Sequence, residues 1–296
     1  MLKYWKTKYY LFLVPATLLS YHQTPVMHPL PCSLRTTADY VIIDKAKLKS
    51  PARGQKFDIQ SGFYNLFYVY YFNENNSLTP GVAYSHFRFG WDENPFFSQK
   101  NFRNVQFSLS YLTRSLENWM WIAGVTWSQD LNHFSNWGQY GLLTGVLWGR
   151  GFIRPDFHIH GGAVGYRGLE GGKILPIFGI DWIITPKWVV NAIFPFIYSI
   201  TYYLDDNWAF MFKGSPFSGR YRAKENEPPP KSIFRYRSFG IDMNVYFRIK
   251  NYFAFRLYWG YNFGGELYIK NRKGKNANYF KFKDAPYIGV NAGLAF

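Results

Sequence analysis

From Phe57 to Phe296 apolar side chains recur at every second position, in runs of about ten residues. Few folds admit that period. The last run is the cleanest. Ile288, Val290, Ala292, Leu294 and Phe296 form one row, and Gly289, Asn291, Gly293 and Ala295 form the other. Phe253, Phe255, Leu257, Trp259, Tyr261 and Phe263 share a face opposite Arg256, Gly260 and Asn262. Phe239, Ile241, Met243, Val245 and Phe247 oppose Gly240, Asp242, Asn244 and Tyr246. Val105–Tyr111 and Trp119–Trp127 repeat the pattern earlier in the chain. Successive side chains of a strand point to opposite faces, so each row is one face of a strand.

Composition narrows the choice. Aromatic residues make up 22% of the chain, yet mean hydropathy is only -0.24. Past the first 20 positions no apolar run reaches the ~18 residues of a membrane helix. A soluble all-β domain and a transmembrane barrel remain, the barrel showing apolar residues to lipid at alternate positions only. A terminal aromatic behind an apolar row, Ile288–Phe296, favours the barrel, because such a strand pairs with an exposed edge of the outer-membrane assembly machinery. The expected fold is therefore all-β, a transmembrane antiparallel up-and-down barrel of 12–14 strands, with 14 preferred.

Connections support this reading. Tight ones fall near Ser115–Asn118, Gly151–Arg154, Pro186-Lys187, Asp205-Asp206 and Lys250-Asn251. Long ones fall at Asp92–Phe102, Asp130–Asn136, Arg167–Gly172, Tyr221–Phe234 and Gly264–Lys283. The near-alternation suits short periplasmic turns and long outer loops. Trp188–Leu204 reads as one unbroken row, but Pro195 in its middle argues for a break. With the break there are 13 strands after residue 57, and Asp39–Leu48 supplies a fourteenth.

The N-terminus reads as a secretory signal over residues 1–20, with Lys3, Lys6 and Lys8 ahead of the apolar Tyr9–Leu19. Residues 21–56 form an exported segment with one strand, and 57–296 the barrel, in an outer membrane. The lone Cys32 excludes an internal disulfide. The net charge of +16 comes with no nucleic-acid-binding motif, so anionic lipid or anionic solutes are the expected partners; oligomeric state is open.

Gly171–Trp182, the turn Pro186-Lys187-Trp188, the Pro195 segment and Gly219-Arg220-Tyr221 resemble a family of exported bacterial barrels classed as a domain of unknown function. The likeness is strongest over Gly168–Tyr221 and extends over Phe57–Phe296. It implies a barrel and supplies no catalytic or ligand positions.

Chemistry-bearing residues are few. Asp156, His158 and His160 share one parity, a geometry that suits a metal or merely a polar lumen. His86, His133, His158 and His160 with Ser108, Ser110 or Asp181 are the only material for a lipid hydrolase, and no spacing matches one. No enzyme activity and no cofactor are expected. Arg248 and Arg256 have lumen parity; they either bias a pore towards anions or pair with Asp242 and fill the interior. Arg220, Arg222 and Lys224, and Lys270, Arg272 and Lys273, sit in long loops, where they either contact lipid phosphates or are simply solvated. Inward parity assigned to Ile122, Leu143, Leu147 and Tyr246 hints at a packed lumen. Three roles follow: a passive pore for small, anionic solutes, a surface-exposed barrel with an occluded lumen and lipid- or host-binding loops, or, as the least expected alternative, an outer-membrane lipid hydrolase.

Overall fold

In a computed structural model, residues 34–49, 52–169, 171–227, 230–249, 252–271, 273 and 278–295 are described. The signal segment, Cys32, the Lys250-Asn251 turn, Arg272 and Phe296 lie outside the described residues. No described helix is long and apolar enough to cross a membrane. The chain crosses instead with strands, as a closed antiparallel barrel.

Sixteen strand segments make its wall: β1 (Leu34–Lys47), β2 (Lys56–Tyr68), β3 (Tyr70–Asn73), β4 (Asn76–Trp91), β5 (Asn101–Leu116), β6 (Trp119–Asp130), β7 (Gly141–Arg154), β8 (Phe157–Gly168), β9 (Gly172–Thr185), β10 (Trp188–Phe194), β11 (Ile197–Tyr203), β12 (Trp208–Arg222), β13 (Ile233–Ile249), β14 (Phe253–Lys270), β15 (Asn278–Phe282) and β16 (Ala285–Ala295). β3 continues β2 along β4, and β15 continues into β16 along β14. The barrel therefore has fourteen staves. Each pairs with its sequence neighbour, and β16 closes the ring on β1 from Arg35↔Ala295 to Ile43↔Tyr287. Closure leaves no lipid-exposed sheet edge at the seam, a requirement where water cannot satisfy backbone groups.

The fourteenth strand is β1, which begins at Leu34, earlier than the expected Asp39. Pro195 does break the long row: β10 and β11 form a hairpin from Trp188↔Tyr202 to Ile193↔Ile197. The row survived the break because three residues separate the last pair, Ile193↔Ile197, and an odd-length turn preserves side-chain parity. Among the described residues, the expected tight turns lie at one end and the long loops at the other. The turn expected at Gly151–Arg154 sits just beyond, at Pro155-Asp156.

Outward rows are apolar and exposed, among them Leu66, Phe107, Leu109, Val125, Phe210, Trp259 and Val290. At the turn end, Trp188 packs tilted against Tyr202 (4.8 Å) and Trp208 against Phe247 (4.6 Å), part of the aromatic girdle of a membrane barrel. Leu143 and Leu147 also face outward, at 48% and 51% exposure, correcting the inward parity expected for them. Leu143 pairs with Trp127, so Thr144, Val146 and Trp148 are the residues of β7 that enter the lumen.

Two apolar clusters occupy the interior. One, on β5–β11, joins Met120, Ile122, Val146, Trp148, Val164, Ile177 and Phe196. The other fills the loop end with rings. Phe87 lies 4.4 Å from Tyr221 and 5.2 Å from Tyr236, and Phe89 lies 4.6 Å from Phe234.

Candidate functional site

The loop end is closed because the β12–β13 hairpin leaves the wall. β11 pairs with β12 only as far as Tyr198↔Gly214, while β12 runs on with β13 to Arg222↔Ile233. Freed of a neighbour on one side, the upper hairpin leans across the mouth. Tyr221, Phe234 and Tyr236 press on Phe87 and Phe102 of β4 and β5. The loops then latch. Glu227 accepts from the Ser98 amide (2.7 Å) and hydroxyl (3.0 Å), and the Lys224 amide donates to Gln99 (3.0 Å). Lys231 Nζ donates to Gln139 at 3.0 Å.

Arg220 and Arg222 belong to this closure, and their predicted role as lipid-phosphate contacts is corrected by their position. Arg220 donates to the Tyr166 hydroxyl (3.0 Å) with its guanidinium over that ring (4.5 Å). Arg222 is 7% exposed and donates to the carbonyls of Gln139 (2.8 Å), Leu169 (2.8 Å) and Lys231 (3.0 Å). A guanidinium spent on three carbonyls inside the mouth cannot reach lipid phosphates. Lys224 is half-buried beside the latch, Lys270 is half-buried at the end of β14, and Lys273 is exposed beyond it.

Beneath the closure lies a chamber of about 400 Å³. Short polar side chains, including Thr36, Ser61, Ser85, Asn104, Thr126 and Thr144, share its walls with aromatic and aliphatic ones such as Phe63, Met211 and Tyr246. Five cationic side chains line it, Arg35, Lys213, Arg220, Arg248 and Arg256, against two carboxylates, Asp39 and Asp242. The expected Arg256–Asp242 pairing is replaced. Asp39 accepts from Arg256 (3.2 Å), Tyr258 (2.9 Å) and Asn291 (3.0 Å). Asp242 is held by Tyr287 (2.7 Å), Asn244 and Ser215. Asp39 takes the arginine because β1 and β14 flank β16, and Asn291 is in register with both Asp39 and Arg256. Sequence spacing gave no hint of this contact; only barrel closure produces it. Arg248 lies at the turn-end rim, donating to the Asp206 carbonyl (2.9 Å).

His158 and His160 do point inward, but towards Asp181 and Arg150 rather than Asp156. His160 Nε2 lies 2.9 Å from Asp181, its Nδ1 accepts from the Trp148 indole (3.0 Å), and Arg150 bridges Asp181 (3.0 Å) and His158 (3.0 Å). Asp156 sits in the turn, paired with Arg154 at 3.3 Å. Among the described residues no group of three or more His, Cys, Asp or Glu is arranged to hold a metal ion. His160 contacts an aspartate as a hydrolase base would, but both ring nitrogens are engaged and its side chain is fully buried. His86 meets Asn101 at 3.2 Å, and His133 stacks on Tyr140 at 4.0 Å.

A family model described as a domain of unknown function (DUF6268) matches residues 73–296. An uncharacterized protein of Chlamydia pneumoniae is 25% identical over 203 residues, covering 68% of this chain. The matched region spans 63% of that relative's length. Among solved structures, an outer membrane channel from Pseudomonas putida F1 superposes with a TM-score of 0.49 at 10% identity, covering 90% of this chain and 97% of that one. The toluene transporter TodX of Pseudomonas putida gives 0.45 at 7% identity, covering 90% of each chain.

Proposed function

This chain belongs to the DUF6268 family, and from its lumen we propose that it is an outer-membrane channel, closed at rest, with a chamber that favours small anions. One observation carries the reading: a chamber with five cations against two carboxylates, shut at the loop end by rings and latches. Fixed positive charge in a low-dielectric passage lowers the barrier for anions. By the usual placement of short turns, the turn end faces the periplasm.

Planar-bilayer recording tests this. The wild-type barrel is expected to be nearly silent. Glu227→Ala with Tyr221→Ala removes a latch and an anchor ring, and should give openings whose reversal potential follows chloride. A wild-type barrel that conducts steadily, or openings that select potassium, overturns the proposal. The alternative is a surface barrel with a permanently filled mouth, which the 22-residue aromatic-rich cluster favours. Silence in the double variant would establish that alternative.

A further inference from the structure

The hairpin that leaves the wall leaves a gap behind it. β10 pairs with β9 only up to Phe194↔Phe178, and β11 with β12 only up to Tyr198↔Gly214. Above the Pro195-Phe196 turn, β9 (Gly172–Ile177) and β12 (Ser215–Arg222) each have one ladder partner among the described residues. Two strand widths, about 10 Å of wall, are missing there.

Three details mark the gap as built. Each unpaired stretch carries a proline, Pro176 on β9 and Pro216 on β12, and a third, Pro195, lies in the turn beneath. Proline is tolerated in sheets at edges, where it removes a donor that lipid could not satisfy. Secondly, Phe178, Phe194 and the 77%-exposed Ile174 continue the outward apolar face past the turn, so the gap opens onto the lipid band. Thirdly, the chamber wraps around β12's free edge. Even positions of β12 face lipid lower down, as Phe210 and Phe212 do, yet Pro216, Ser218 and Arg220 line the same chamber as Ser215 and Phe217. Above Gly214, where β12 has lost β11, its free edge therefore borders the chamber.

We infer that the chamber opens sideways into the membrane through this gap and takes a single-chain amphiphile with an anionic head. The head would lie among Lys213, Arg220 and Arg256, and the chain against Phe196, Pro216 and Phe217 on its way to lipid. The axial route outward is blocked by rings, which makes the side route the connection between chamber and outer half of the barrel.

Full-length protein carrying Cys32→Ser, refolded in vesicles, tests the portal. A bimane label on Phe196→Cys should be quenched strongly by lipid with brominated acyl chains. The same label on Ile122→Cys, inward on β6 and flanked by paired strands, should not. Equal quenching at the two positions overturns the portal. Dodecanoate should then protect the residue-196 label, whereas dodecanol and lysophosphatidylcholine should not, and Lys213→Gln should weaken protection about tenfold. Protection by dodecanol as strong as by dodecanoate overturns the anionic head; protection by lysophosphatidylcholine does the same and makes the occupant a membrane lipid. The ligand's charge rests on the channel reading, but the quenching does not. A barrel that never conducts yet is quenched at residue 196 loses the channel and keeps the portal.

Discussion

At the scale of single residues, buried charge decides most. Asp181 meets Arg150, His160 and Asn191, and is itself buried. Removing one member of a buried pair strands the other, typically at a cost of about 3–5 kcal/mol. Asp181→Ala should lower barrel stability by roughly that amount in denaturant titration from vesicles. Asp156→Ala, which frees only an exposed arginine, should leave the midpoint nearly unchanged. Small residues matter for a different reason. Gly289 lies under the Tyr258 ring, and a Cβ there would sit 2.2 Å from Tyr258 Cζ. Gly289→Ala should push the ring off Asp39 and cost about 1–3 kcal/mol, read from the same titration. The alternation made Gly289 legible as a member of a small inward row. It could not show that Tyr258, from the next strand, needs that row to be small.

At the scale of elements, strand existence and facing were legible because period two is written into each segment. Phe239–Phe247 and Phe253–Phe263 face as their patterns require. The facing of Leu143 and Leu147 is hard to read because the inward row of β7 mixes Leu142, Val146 and Trp148 with Thr144 and Arg150, so neither parity is clearly the polar one. The β12–β13 hairpin was also hidden. Its basic residues look like those of any solvated loop, and only the early end of β11 sends them inward. That gives Arg222 an outsized role, as its guanidinium ties β12 to the β6–β7 and β8–β9 connections. Charged hydrogen bonds contribute about 1.5–3 kcal/mol each before compensation. Arg222→Ala should therefore loosen the hairpin without unfolding the barrel. The check is limited proteolysis: cleavage between Ala223 and Ser232 should accelerate at least several-fold while heat-modifiable gel mobility persists.

At the scale of the whole molecule, the two most separated strands determine whether there is a barrel at all. β1 sits between β2 and β16, in register over nine residue pairs with the latter. The sequence offered β1 only as a way to make the strand count even, since its pattern is weak: Leu34–Thr37 and Asp39 mix polar and apolar residues on both parities. Its polar inward residue is what the site needs, because Asp39 joins Arg256, Tyr258 and Asn291 across the closing seam. Closure and chamber are thus one structure. Deleting Leu34–Lys47 would expose the edges of β2 and β16 to lipid, each unsatisfied backbone group costing several kcal/mol. No rearrangement of side chains offsets that, so the deletion should abolish the heat-modifiable folded form in vesicles altogether. Asp39→Asn leaves the ladders intact and should fold. By uncovering Arg256's charge it should also raise the chloride preference of the latch-opened channel. A barrel that folds without β1 would show that β2 and β16 can pair directly, leaving thirteen staves and no place for the Asp39 cluster.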